Sequence, residues 1–510
     1  MDERDRPDSG ATFFGTAVAS GILTGLSFPS FHWYPLIWVA LIPLFLPALR
    51  HGPRRCFLRF FVAGMVFYLI LLQWLLCNIY WAGGWAIGGY VALCAFMALY
   101  WGCLGGLWAW VRDRCAGLPL ALVTAILWTA MEFLQGRLFS GFGWGALGYV
   151  HSVDRPLLQL ASVGGVGLLS ALTVAFNVAA AQIVVDRAHR VVRTSAAVAL
   201  LVLSHALGWA LLHPPDYESR PFVAGLVQSN FPQEVKWDPE YAMEMVEKTA
   251  ARSRDLINTS GVDLLVWPEA LIVTPLDSPG LMARIAALTH EAEAPLFTGV
   301  SRFVPEAGGW ANSSCLFTQQ GEIMGYYDKI RLAPFGEYAP FSSYLPFLTK
   351  LIPAIGEMVP GRTLKVFAVG ERRFGPLICF EVLFPDMAER LRRNSADFLV
   401  VITNLAWFGA SNAIPQELEI SRVRAVETRL PLVHCANTGY SGVFDPYGRF
   451  SAIGETHVRT FGAVPVAAPA RRVFQTDPQV FSKACLGISC IWLAAILLRK
   501  TAARATSKRG

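Results

Sequence analysis

Asp263-Leu264-Leu265-Val266-Trp267-Pro268-Glu269 reads as a buried strand brought to a halt. Four apolar residues in succession have strand length, and the proline that follows cannot donate to a ladder, so it ends the strand and aims Glu269 out of its tip. The same construction recurs twice downstream. In Tyr326-Tyr327-Asp328-Lys329-Ile330-Arg331 the lysine follows a hairpin predicted around Gln320-Gly321, and in Gly375-Pro376-Leu377-Ile378-Cys379-Phe380-Glu381 a strand ends in a thiol with a carboxylate two residues on. Working outward, runs of strand length at 222–229 (FVAGLVQS), 263–267, 295–300, 314–318, 377–380 and 398–403 (FLVVIT) are separated by stretches that read as helices at 239–257, 278–292, 386–394 and 415–429. Asp238 as N-cap and Pro239 at the first helical position mark where the first helix starts. Such alternation predicts an α/β layered domain with a large sheet.

The residue types at the three strand ends suit one another. A free thiol, with a pKa near about 8.5, is mostly protonated at neutral pH. A carboxylate that takes its proton and an ammonium that stabilises the resulting anion make it a nucleophile. The same ammonium can hold the oxyanion that forms when sulfur attacks a carbonyl. A Ser/His/Asp site fits worse, because no G-x-S-x-G elbow is present and His290 and His434 have no partner motif. Singly, Cys379 reads as an inert core thiol, Lys329 as a surface charge and Glu269 as a helix cap; together at strand ends they read as an acyl-transfer site.

Further out, the composition changes. Of the whole chain 54% is hydrophobic and only 16% charged, too apolar for a soluble protein of 510 residues, and the excess lies before residue 213. Eight apolar runs have the length of transmembrane helices: 13–31, 33–49, 57–76, 85–111, 118–134, 157–185, 195–212 and 481–498. Arg50, Arg54, Arg55 and Arg59 follow the second run, Arg112 and Arg114 the fourth, and Arg187, Arg190 and Arg193 the sixth. Alternate connections around Ser30 and Tyr80 carry no basic residue, although Arg137 and Arg155 lie in 135–156. A basic excess in every second loop places the N-terminus in the cytoplasm and the domain between the seventh and eighth runs outside it. The expected domains are therefore a seven-helix bundle at 1–213, a globular domain at 214–477, and a last span with a basic tail at 478–510. A transporter would need ionisable residues in its spans, and Glu132 is the main one, expected near the outer end of its helix. In the Gly141-Phe142-Gly143-Trp144-Gly145 turn that follows, Trp144 is expected to anchor at the membrane interface.

The net charge of +6 sits in short clusters between apolar runs, a topology pattern that gives no reason to expect nucleic acid as a partner. Ten cysteines without C-x-x-C pairs or interleaved histidines give no metal-ligand spacing, and neither metal nor cofactor is expected. An oxidising compartment would allow Cys315 and Cys435 to pair while leaving Cys379 free.

The motifs W-P-E (267–269), Y-D-K-I-R-L-A-P-F-G-E-Y (327–338) and I-C-F-E (378–381) resemble the nitrilase superfamily, whose triad is Cys-Glu-Lys. Joined to eight apolar runs, the chain resembles its membrane-embedded apolipoprotein N-acyltransferase family, over nearly its whole length. Val227-Gln228-Ser229-Asn230, Lys236-Trp237, Trp407-Phe408-Gly409 and Asn437-Thr438-Gly439 extend the match. The resemblance implies an αββα sandwich and a ping-pong reaction at the bacterial inner membrane. In it, Cys379 takes an acyl chain from a phospholipid and passes it to the α-amine of the lipid-modified N-terminal cysteine of an apolipoprotein. It implies that Glu269 is the general base, that Lys329 stabilises the tetrahedral intermediate, that Glu337 and Glu381 support them, and that Trp237, Asn312 and Trp407 bind substrate. Three positions depart from the family pattern: Phe380 where a tyrosine is usual, Leu405 in place of an acidic residue, and Glu417 in place of a histidine. The apolar run 341–359 (FSSYLPFLTKLIPAIGEMV) is expected to lie on the bilayer as an arm or lid. A membrane-tethered amidase with the same triad, passing the acyl group to water, is the alternative.

Overall fold

The computed structural model describes residues 10–31, 33–114, 119–212, 221–236, 238–339, 357–467 and 476–507. The chain divides into two compact units, Met1–Gln73 with Ile87–Leu212 and Thr476–Gly510, and Trp74–Ala86 with His213–Gln475.

In the first unit, four helices are long and apolar enough to cross a membrane: Trp85–Arg112, Ala161–Val185, Arg190–Leu211 and Val480–Leu498. They mark a membrane protein and match four of the eight expected runs; Thr12–Ser27, Tyr34–Ala48 and Leu120–Gln135 are shorter. The second run is not one helix. Pro35, Pro43 and Pro47 break it into a 3-10 turn Tyr34–Leu36 and short helices Ile37–Ala40 and Ile42–Ala48. At the break, Asn177 takes over the orphaned backbone: its Oδ1 accepts from Leu41 N and its Nδ2 donates to Ile37 O, both at 2.9 Å. The third run also shifts, because Pro53 starts its helix, Pro53–Leu71, ahead of the expected boundary. Arg59 is thus no loop charge. It is fully buried, with its guanidinium donating to Leu44 O and Phe13 O at 3.2 Å each and to the Thr16 hydroxyl. Glu132 Oε1 accepts from Trp128 Nε1 at 2.8 Å and Leu147 N at 3.0 Å, which ties its helix to the following turn. Trp144, expected at the interface, is instead buried in that turn, stacked on Phe142.

The second unit is built on two six-stranded sheets, ordered β12-β1-β2-β3-β4-β5 and β11-β10-β9-β8-β7-β6. The first holds β1 Phe222–Gln228, β2 Leu264–Val266, β3 Leu296–Val304, β4 Gly309–Phe317, β5 Ile323–Asp328 and β12 Thr460–Val466. The second holds β6 Phe367–Val369, β7 Arg372–Ile378, β8 Phe398–Thr403, β9 Leu432–Ala436, β10 Gly442–Phe444 and β11 Phe450–Ala452. In each sheet the middle strands run parallel, β1 to β3 and β7 to β9, and antiparallel strands flank them. The parallel middles are buried on both faces, which is why β8 reads as unbroken Phe-Leu-Val-Val-Ile-Thr rather than as an alternation. The sheets pack face to face through β1 with β9 and β4 with β7. Helices Pro239–Ile257 and Pro279–Glu291 cover the first sheet; Pro385–Arg393 and Ala413–Thr428 cover the second. The result is a nitrilase-like α/β sandwich with two sheets where the strand runs suggested one large sheet.

One further expectation changes, and one falls outside what the structure describes. Cys315 and Cys435 are both free and buried, on different sheets, and the Cys435 thiol points at Val266 O, 3.4 Å away. The apolar run 341–359 lies outside the described residues apart from its last three.

Candidate active site

Parallel sheets present ligands with the carboxyl ends of their strands, where the chain must leave the ladder. Glu269 follows β2, Cys379 follows β7, and Thr403 is the last residue of β8. Glu269 is set by a close crossing. The chain after Pro268 passes over β3 at Gly299, whose N donates to Pro268 O at 3.2 Å while its O accepts from Leu271 N and Ile272 N at 3.1 Å. A side chain at 299 would start 2.3 Å from Ala270 N, so only glycine lets this loop lie there. Lys329 sits one residue beyond β5, which Gly321 (φ 78°) turns back onto β4.

The charged groups form a closed cluster. Lys329 Nζ lies 3.2 Å from Glu269 Oε1 and 2.9 Å from Glu337 Oε1. Asn312, on β4, donates through Nδ2 to the same two oxygens at 2.7 and 2.6 Å. All four side chains are buried. An ammonium taken out of water needs such partners, and with two carboxylates beside it Lys329 is held well above the ordinary lysine range. Glu337 is itself oriented by Ala333 N at 2.7 Å. Glu381, fully buried, does not join the cluster. Its Oε1 accepts from Tyr327 Oη (2.8 Å), Ile330 N (2.7 Å) and Arg331 N (3.1 Å), and its Oε2 from Ile378 N (2.9 Å). Burial pushes its carboxyl up to about 7 against the pull of those donors.

Cys379 occupies the sharp exit from β7. The strand expected to run through 380 ends at Ile378, and Cys379 turns into the left-handed region, φ 50°, an uncommon conformation for a residue with a Cβ. The residue is partly exposed, but its thiol is raised well above the usual range, first by burial and then by the nearby Glu269 carboxylate and Glu417 carboxyl, with Lys329 and the Thr403 hydroxyl acting in the opposite sense. A thiol so placed keeps its proton at neutral pH, and it can act as a nucleophile only with a base to take that proton.

Three neighbours went unidentified as site residues in the sequence. Lys236, fully buried, donates through Nζ to Glu269 O at 2.6 Å, and burial lowers it to about 7. Thr403 and Glu417 bond to each other, and both bear on the ionisation of the Cys379 thiol. The lysine of the quoted Lys236-Trp237 pair, the polar residue ending an apolar strand and the departure at Glu417 were the available signs. Trp237 lies outside the described residues. Trp407 lies half-buried on the 3-10 turn Leu405–Phe408 after β8, where Leu405 is buried.

A thiol, a carboxylate and an anchored ammonium near strand ends of an αββα sandwich are consistent with an enzyme of the nitrilase type. Residues 223–460 match the carbon-nitrogen hydrolase family, and residues 20–179 match the apolipoprotein N-acyltransferase N-terminal domain. The apolipoprotein N-acyltransferase of Geobacter metallireducens is 36% identical over 447 residues, with 85% of each chain covered. That of Gloeobacter violaceus is 33% identical over 476 residues, covering 88% of this chain and 87% of the relative. An amidase from Nesterenkonia sp. of solved structure is 20% identical, with a TM-score of 0.37 over 52% of this chain and 94% of its own, an overlap that adds nothing to the assignment. The chain belongs to the apolipoprotein N-acyltransferase family, and it is an acyltransferase.

Proposed function

We propose that this chain moves an acyl chain from a membrane phospholipid onto Cys379 and then onto the α-amine of the N-terminal diacylglyceryl-cysteine of apolipoproteins. The observation that carries the reading is the cluster of Lys329 with Glu269, Glu337 and Asn312, set beside a cysteine at a strained strand exit in a chain with membrane-length apolar helices. Glu269 takes the thiol proton as sulfur attacks the ester carbonyl, and Lys329 holds the oxyanion. The carbon–oxygen bond breaks, Glu269 returns the proton to the leaving alcohol, and lysophospholipid departs. In the second half the amine attacks the thioester, its proton passes to Glu269, the carbon–sulfur bond breaks, and Glu269 returns the proton to the Cys379 thiolate, restoring the starting thiol and carboxylate. Glu337 and Asn312 orient the pair, and Trp237 and Trp407 contribute to substrate binding. Eight spans, a catalytic domain at 214–477 and its extracytoplasmic position at the bacterial inner membrane belong to the same proposal, supported by the alternation of arginine-rich connections.

Incubation with phospholipid and no acceptor tests it. A thioester should form on Cys379 with release of lysophospholipid, and Cys379→Ala should abolish labelling. A diacylated peptide with a free N-terminal amine should discharge the thioester to an amide, and its N-acetylated form should not. Free fatty acid as the main product with either peptide would favour the hydrolase; labelling that survives Cys379→Ala would sink the assignment.

A further inference from the structure

We propose that Glu417 is a further catalytic residue, a second carboxyl group on the reacting sulfur that works in its protonated form as a hydrogen-bond donor to the Cys379 thiolate. The inference rests on the acyl-transfer reading of Cys379. Glu417 lies in the second turn of the Ala413–Thr428 helix, which packs against the Cys379–Leu383 turn, and it is 1% exposed. Both its carboxyl oxygens lie within reach of Thr403 Oγ1, at 3.0 and 3.1 Å, and the carboxyl lies close enough to the Cys379 thiol for the two to influence each other's ionisation. Carboxylates this deeply buried are ordinarily paired with a cation. Lys329, the cation that acts on it, gives its ion pairs to Glu269 and Glu337, and among the described residues Glu417 has none. Burial, with the Glu269 carboxylate nearby, accordingly lifts Glu417 to about 8, so at neutral pH it carries a proton.

A neutral carboxylic acid beside a sulfur about to become an anion is useful in both half-reactions. When Glu269 takes the thiol proton, Glu417 donates its own O–H to the new thiolate without surrendering it. When the acceptor amine displaces sulfur from the thioester, the same hydrogen bond steadies the departing thiolate. Glu417 begins and ends each cycle protonated, and no proton is left over. The division of labour resembles other sites in which one carboxyl is kept neutral to donate while its neighbour acts as base. The charged groups facing Glu417 are Glu269, Lys329 and Cys379. Ionisable groups on the elements packed around its helix are engaged elsewhere: Glu381 with four donors, Glu389 with Arg392 and Arg393, and His434 with Tyr440 O.

Ionisation reverses the effect, since a bare Glu417 carboxylate loses the donor and sets a negative charge against the sulfur. The rate of lysophospholipid release by the intact enzyme should therefore fall about tenfold per pH unit above about pH 8. Glu417→Gln keeps a neutral but weaker donor at every pH, so its release should be slower than the parent's at pH 7 and should lose the alkaline limb. Thr403→Val provides an independent reading. Its hydroxyl favours the ionised carboxyl, so its removal should move the limb to higher pH. Loading that depends on Cys379 while Glu417→Gln keeps the parental limb, or a Thr403→Val limb that does not rise, overturns the role of Glu417 alone. Loading that survives Cys379→Ala overturns the acyl-transfer reading first.

Discussion

Adding one methyl group at position 299 should disable the enzyme while leaving it folded. The Cβ of Gly299→Ala would meet Ala270 N at 2.3 Å, Glu269 Cα at 2.6 Å and Glu269 C at 2.7 Å, where ordinary contact begins at 3.4 Å. Because all three are backbone atoms, no side chain can swing aside, and the loop carrying the proposed base must retreat by about 1 Å. Overpacking of this kind costs about 1–3 kcal/mol of stability. The larger effect is positional. Glu269 shares its Oε1 with Lys329 and Asn312, so a displaced backbone pulls it away from the thiol and the ammonium together. A misplacement of about 1 Å at a reacting group lowers a rate by about 100-fold. Gly225→Ala on β1 is the control, since its new methyl meets only side-chain tips, Leu256 Cδ2 at 2.8 Å and Val262 Cγ1 at 2.9 Å. Both variants should melt at lower temperature, and only Gly299→Ala should lose thioester formation in a single-turnover assay with phospholipid. Loading by Gly299→Ala at the parental rate would refute the positional reasoning.

Two further outcomes follow from buried groups. Lys236→Met leaves Glu269 O without the donor now at 2.6 Å, a loss of about 1–3 kcal/mol, and should slow acyl loading more than it lowers the melting temperature; an unchanged rate would make Lys236 a purely structural side chain. Glu417 has a folded-state pKa raised from the ordinary 4.5 to about 8, so the stability it contributes is fully present below about pH 4.5 and is lost as pH rises through 8. Thermal unfolding in detergent should therefore show the parent losing more stability than Glu417→Gln between pH 6 and 9, by about 1.4 kcal/mol per pH unit until about pH 8; parallel curves would refute it.

What sequence reasoning reached depended on how local the determining interactions are. β8 was legible because burial on both faces requires an unbroken apolar run, and the helix Pro239–Ile257 was legible because Asp238 and Pro239 announce it. Glu269, Lys329 and Cys379 stood out because each lies within three residues of the end of its strand. Lys236 did not, since its partner is the backbone of Glu269, 33 residues away. Glu417 was noted only as a departure from the family pattern. Gln416, Glu417, Glu419, Arg424 and Glu427 suggest a solvated helix face, yet all are buried, because that helix is enclosed by the second sheet and the turns after its strands. The break at Leu41 was also hidden, since its orphaned amide is capped by Asn177 from 136 positions along the chain.

The four hydrogen bonds to Glu381 join residues that leave different sheets: Tyr327, Ile330 and Arg331 at the end of β5, and Ile378 at the end of β7. One side chain thus works as a dowel through both leaves of the sandwich, driven in beside the point where cysteine and lysine leave their strands. Spreading the leaves to admit a bulky molecule would strip a buried carboxyl of donors on one side or the other. The interior gap is therefore a fixed gauge. A long acyl chain brought by the proposed reaction would then enter from the rim, where loops rather than sheets can give way.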